Sequence, residues 1–167
     1  MTYSGQYLHS EDLHPIDMVE TLAEHREWDF DRVTDDQIAM TIEGQWRTYS
    51  VTLAWSAFDT TLRLICTFEM EPPEERIPAL YKALNAANDM LWSGAFTYWD
   101  AQKLMSYRYG LVLAGEATVT PEQIDRLLNT ALMSTEKFYP AFQLVVWGNR
   151  EANAAMQVAI AEAYGRA

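Results

Sequence analysis

The chain has 167 residues and a mass of 19.2 kDa, the size of one domain, and its 49% hydrophobic content is enough for a packed core. Twelve basic residues against twenty-four acidic ones give a net charge of -12. A surface that negative repels phosphate backbones and anionic lipid, so it argues against nucleic-acid and membrane partners and suits basic or amphipathic proteins.

Residues 1–13 are polar and aromatic without period and read as frayed or laid over the surface. Pro15 fits the first turn of a helix running to about Trp28, with Ile16, Val19 and Ala23 on one face. The acidic stretch Asp29–Asp36 reads as a connection. Alternation then sets in. Ile38, Met40 and Ile42 share a parity, then Tyr49, Val51, Leu53 and Trp55, then Leu62, Leu64, Cys66, Phe68 and Met70, each set against a polar face. Such a period of two predicts antiparallel strands covered on one side only.

Glu71-Pro72-Pro73 stops the third alternating segment, because proline cannot donate to a ladder. A second helix follows, its apolar stripe carried by Ile77, Leu80, Tyr81, Leu84, Ala87 and Leu91, with Gly94 placed to end it. Residues 95–100 and 103–114 read as a hairpin. Thr120-Pro121-Glu122-Gln123 has the form of a capping box opening a long helix; Pro140 is expected to kink it and Gly148-Asn149 to interrupt it. An alanine-rich helix over about 152–163 closes the chain.

The order α-β-β-β-α-β-β-α plus a C-terminal helix predicts one α+β domain over residues 1–167. Its two layers are a mostly antiparallel five-stranded sheet and helices on one face, with residues 150–167 a C-terminal helical extension.

Each type of chemistry needs particular residues at particular spacings. No glycine-rich phosphate loop and no Gly-x-Ser-x-Gly elbow occurs. His9, His14 and His25 lie near one end without metal-ligand spacing and read as solvated. A single cysteine, Cys66, excludes an internal disulfide and a thiolate metal cage, and its apolar neighbours mark it as an inert buried thiol. Asp29–Asp36 lacks the glycine and closing glutamate of a calcium loop. Glu69, Glu71, Glu74 and Glu75 cluster beside two prolines as a solvated corner rather than as acids facing across a cleft. No catalytic residue, cofactor or metal is therefore assigned, and the protein is not expected to be an enzyme. No apolar run approaches ~20 residues, and Met1–Gln6 has neither basic leader nor apolar core, so a cytoplasmic protein is expected.

The aromatic residues are the remaining feature. Core packing is the default for Trp46, Trp55, Trp92, Trp99 and Trp147, which fall mostly near apolar parities. A thin two-layer domain cannot hide so many rings, so some are expected in an exposed patch of the kind that marks a protein interface. Trp92 and Trp99, flanking the Gly94 turn, lead as partner-binding candidates, joined by Tyr81 on the second helix and by Arg108 on a polar strand face. Asn85 and Asn88 interrupt the helix stripe and read as bonding nearby backbone or a sheet edge. Arg108 is placed to pair with Glu69 or a neighbouring carboxylate, or with Arg63 to hold an anion.

Three segments, Leu84-Asn85-Ala86-Ala87-Asn88, Gly94-Ala95-Phe96-Thr97-Tyr98-Trp99-Asp100 and Leu104-Met105-Ser106-Tyr107-Arg108-Tyr109, resemble the YbjN family of bacterial sensory transduction regulators. The likeness extends over roughly residues 15–147. It implies a fold like that of type III secretion chaperones, small acidic cytoplasmic proteins that dimerise and hold extended segments of partners. The resulting expectation is a non-enzymatic protein-binding homodimer, chaperone-like or regulatory. The alternative is a small-molecule sensor with its ligand between sheet and helices, lined by Tyr107, Tyr109 and Trp55; a third, a hydrolase, would need clustered, perturbed carboxylates in a cleft.

Overall fold

The computed structural model describes residues 14–115 and 117–165. The expectations for residues 1–13, His9 among them, lie outside the described residues.

The first helix, α1 (Pro15–His25), buries Ile16, Val19 and Ala23, as its spacing requires. It stops three residues short of Trp28. Glu27 turns into the left-handed region, and the Trp28 and Arg26 amides bond back to Ala23 and Leu22. His14 is no solvated histidine: its Nδ1 accepts from the Ile16 amide at 3.1 Å and caps the helix, while Nε2 meets Asp36 Oδ1 at 2.8 Å.

Asp29–Thr34 is a strand, β1, rather than a connection. The sheet therefore has six strands, not five: β2 (Gln37–Glu43), β3 (Thr48–Ser56), β4 (Thr61–Glu69), β5 (Ala95–Trp99) and β6 (Leu104–Val112) complete it. Their spatial order is β1-β2-β3-β4-β6-β5 and every pair is antiparallel. In register across five strands, Met40, Val51, Cys66, Tyr107 and Phe96 form one buried row. Thr41, Ser50, Thr67, Ser106 and Thr97 form a polar row on the opposite face.

A 3-10 turn (Glu74–Arg76) leads into α2 (Ile77–Asp89), which buries Leu80, Ala83, Leu84 and Ala87. The long α3 (Pro121–Val146) starts at the expected capping box, with the Gln123 amide on Thr120 Oγ1 at 3.1 Å and the Thr120 amide on Gln123 Oε1 at 2.9 Å. The helix assignment runs unbroken through Pro140 to Val146. Asn149, in the left-handed region, separates it from α4 (Ala152–Gly165). Arg76 holds that corner by donating from Nε to the Val145 carbonyl at 2.9 Å and from Nη2 to the Arg150 carbonyl at 2.8 Å.

Where helices meet sheet, the gap is filled by rings. Phe96 stands edge-on to Tyr107, Phe138 and Phe142 with centroids 5.4, 5.9 and 5.2 Å apart. Burying each such side chain contributes about 1.5–3 kcal/mol.

Candidate partner-binding surface

The most exposed large ring of the nominated set is Trp92, in the five-residue loop between α2 and β5. The loop around it is tightly held. At its start, the Met90 and Leu91 amides bond the Ala87 and Asn88 carbonyls at 3.0 and 3.1 Å. In its middle, the buried Tyr107 hydroxyl donates to the Ser93 carbonyl at 2.7 Å. Gly94 adopts φ +76°, and its missing Cβ is the space the Tyr107 ring fills, so no other residue fits there. Gly94 thus opens β5 instead of capping α2, whose cap is Met90.

Asn88 holds the far side. Its Nδ2 donates to the Phe96 carbonyl at 3.0 Å, and the Phe96 amide donates to its Oδ1 at 2.7 Å. The side-chain amide takes the place of a neighbouring strand on the outer edge of β5, the edge-capping role expected of the helix asparagines. Trp92 is consequently an indole wholly in water on a fixed backbone, with the partly exposed Met90 beside it.

The other nominated residues do not join Trp92 in one patch. Tyr81 is half-exposed on the outer face of α2, three helical turns back from the loop. Trp99 is half-buried on the uncovered face at the far end of β5. Arg108 is exposed on that same face, opposite Ile65 and Ala95, while Glu69 lies opposite Leu104; the expected Arg108–Glu69 cross-strand pair is ruled out by register. Arg63 sits diagonally from Arg108 but is engaged by Asp59, Nη2 to Oδ2 at 2.7 Å. That bond is the main reason the exposed Asp59 carboxyl titrates below its usual range.

None of the six tryptophans is fully buried. Trp28, Trp55 and Trp99 are partly covered, whereas Trp46, Trp92 and Trp147 are exposed. Core packing was the wrong default for these three because each sits in a turn or just past a helix end, where strand parity does not apply. The exposure of Trp147 and Met90 was not anticipated; their positions at element ends were the available signal.

The interior offers little chemistry. Tyr107, nominated to line a ligand pocket, is buried against Phe96, and burial pushes its hydroxyl up to about 12. Burial likewise pushes the Cys66 thiol up to about 12; Thr135 Oγ1 donates to its sulfur at 3.8 Å. Among the described residues no group of three His, Cys, Asp or Glu side chains could hold a metal ion, and no helix is long and apolar enough to cross a membrane.

The family model of YbjN, described as "Putative bacterial sensory transduction regulator", matches residues 15–144. A solved structure titled "Crystal structure of YbjN, a putative transcription regulator from E. coli" is similar in fold, with a TM-score of 0.53 at 12% identity over 81% of this chain and 92% of that one. No curated protein sequence matches the chain.

Proposed function

This chain belongs to the YbjN family, and we propose that it is a non-enzymatic cytoplasmic regulator that works by binding another protein, chaperone-like in holding its partner and acting as a homodimer. The observation that supports this reading is Trp92: a large apolar ring kept fully in water by a loop bonded at both ends and in the middle. A rigid exposed indole has little conformational entropy to lose on contact, the property of an interface anchor. The net charge of -12 favours regulation through protein contacts over direct contact with DNA. The pocket reading has less support, because the space between sheet and helices beside Tyr107 is occupied by Phe96, Phe138 and Phe142.

The test is affinity capture from the native cell with wild-type chain and Trp92→Ala, with bound proteins identified and light scattering run in parallel. Wild type should hold a reproducible partner that the variant loses at unchanged melting temperature, and should scatter at twice its 19.2 kDa mass. A strict monomer whose captured proteins are the same with and without Trp92 would refute the reading.

A further inference from the structure

We propose that the uncovered face of the sheet is where two copies of this chain meet, stacked about a two-fold axis that runs along β3. The proposal rests on the homodimer part of the reading above and gives it a surface; Trp92 takes no part in it.

Register defines the face. The alternation that turns Met105 and Tyr107 into the core turns Ser106 and Arg108 outward. Two rows cross five strands there. One runs Asp31, Ala39, Thr52, Ile65, Arg108; the other runs Asp29, Thr41, Ser50, Thr67, Ser106. The middle strand of the five, β3, presents only Thr48, Ser50, Thr52, Ala54 and Ser56. In a chain of net charge -12 two copies repel over most of their surface, and an uncharged centre is where they can approach.

Charge then fixes how the copies lie. Asp29 and Asp31 stand exposed on one side of the face and Arg108 on the other. Among the described residues none of the three side chains has an ion pair or hydrogen bond. A face stacks on its own copy with the axis either across the strands or along them. Across, β1 lies over β1, and the aspartates face aspartates. Along β3, strand order reverses over itself, so β1 lies over β6, β2 over β4 and β3 over β3. The first row then sets Asp31 over Arg108, Ala39 over Ile65 and Thr52 over Thr52, and the same in reverse. Opposite charges meet, and a small side chain meets a large one. Arg108 is long enough to reach across sheets stacked about 10 Å apart.

Ser106 supplies a separate reason. It is 0% exposed although it lies on the uncovered face, and its Oγ has no hydrogen-bond partner. A buried orphan calls for a cause. In the second row the same axis brings Asp29 over Ser106, a carboxylate acceptor for that hydroxyl. One pairing is adverse, Glu43 over Glu69 at the end of the sheet, where twist splays stacked sheets and water screens the charges. β5 projects beyond the stack, so the Trp92 loop before it stays open to a different protein.

The experiment is sedimentation equilibrium of the full chain, with far-UV circular dichroism as the check on folding. Asp31→Arg and Arg108→Asp each oppose like charges twice per dimer, and each should weaken the dimer by about tenfold or more. The two together should return its Kd to within about threefold of wild type. Thr52→Cys, on the axis, should cross-link with a short bis-maleimide, and Thr97→Cys, on the projecting β5, should not; the native Cys66 is buried. A dimer indifferent to the single reversals, a double reversal that stays dissociated, or cross-linking at Thr97→Cys in place of Thr52→Cys would overturn this interface and leave the homodimer standing. A monomeric wild type would overturn both.

Discussion

Replacing Asn88 by alanine removes two hydrogen bonds at once from the outer edge of β5, those of 3.0 and 2.7 Å to the Phe96 carbonyl and amide. Each contributes about 0.5–1.5 kcal/mol net, and the groups left behind are partly buried, which adds desolvation cost unless water enters. The expected loss is about 2–3 kcal/mol, or a melting temperature lower by about 5–10 °C for a chain of this size. Urea unfolding would measure it. Asn88→Asp sharpens the reasoning, since a carboxylate still accepts from the Phe96 amide but faces the Phe96 carbonyl with no proton to donate. At neutral pH it should cost at least as much as alanine. That mismatch raises the folded-state pKa of the aspartate, so part of the stability should return as pH falls through the raised value, complete only below the unfolded value of about 3.9. Alanine and wild type within ~0.5 kcal/mol of each other, or an aspartate variant with no recovery in acid, would refute the edge-clamp account. Hydrogen exchange over residues 90–96 should quicken in both variants, because the same bonds fix the Trp92 loop.

Other outcomes follow from single features. A Cβ on Gly44 would land within the Glu136 carboxylate and against the Tyr49 ring, so Gly44→Ala should destabilise by about 2 kcal/mol or more, with Glu136→Ala recovering much of it in a double-mutant cycle. Arg76→Ala removes both carbonyl contacts at the α3–α4 corner; a loss of about 2 kcal/mol with faster exchange across α4 is expected. Cys66 should resist thiol reagents until the chain unfolds. Because its folded pKa is raised from 9.0 to about 12, its contribution is complete below pH 9 and declines above it. The slope is about 1.4 kcal/mol per pH unit until about pH 12, and Cys66→Ala should lack it in alkaline unfolding curves.

Most of the architecture was legible because burial on one side of a sheet writes itself into alternation. The parities of Ile38, Tyr49, Leu62 and Met105 place every inner strand correctly. β1 escaped because an edge strand needs no such pattern: its register puts Asp29 and Asp31 on the uncovered face and Phe30 and Arg32 toward the helices, leaving charge on both parities. Arg32 is used there as a tether, reaching Asp17 at 2.9 Å and Glu20 at 3.3 Å on α1. The helix continues past Pro140, which lies in a segment whose Phe138, Ala141, Phe142 and Val145 are all buried, so packing outweighs one lost backbone bond. Of the partner-binding candidates, exposure at Trp92 could be reached from its place beside a glycine turn. A cleft that brings Arg47, Glu69, Lys103 and Trp147 together could not, since no local spacing relates those residues.

The amide clamp at Phe96 also bears on how crowded this protein can become. Sheets polymerise by recruiting a neighbour's bare margin, and here one margin is partly occupied by a residue of the same molecule while the other displays Asp29 and Asp31. Fibrous self-association is disfavoured at both flanks, so a concentrated stock should stay clear, and turbidity should follow when Asn88 is lost.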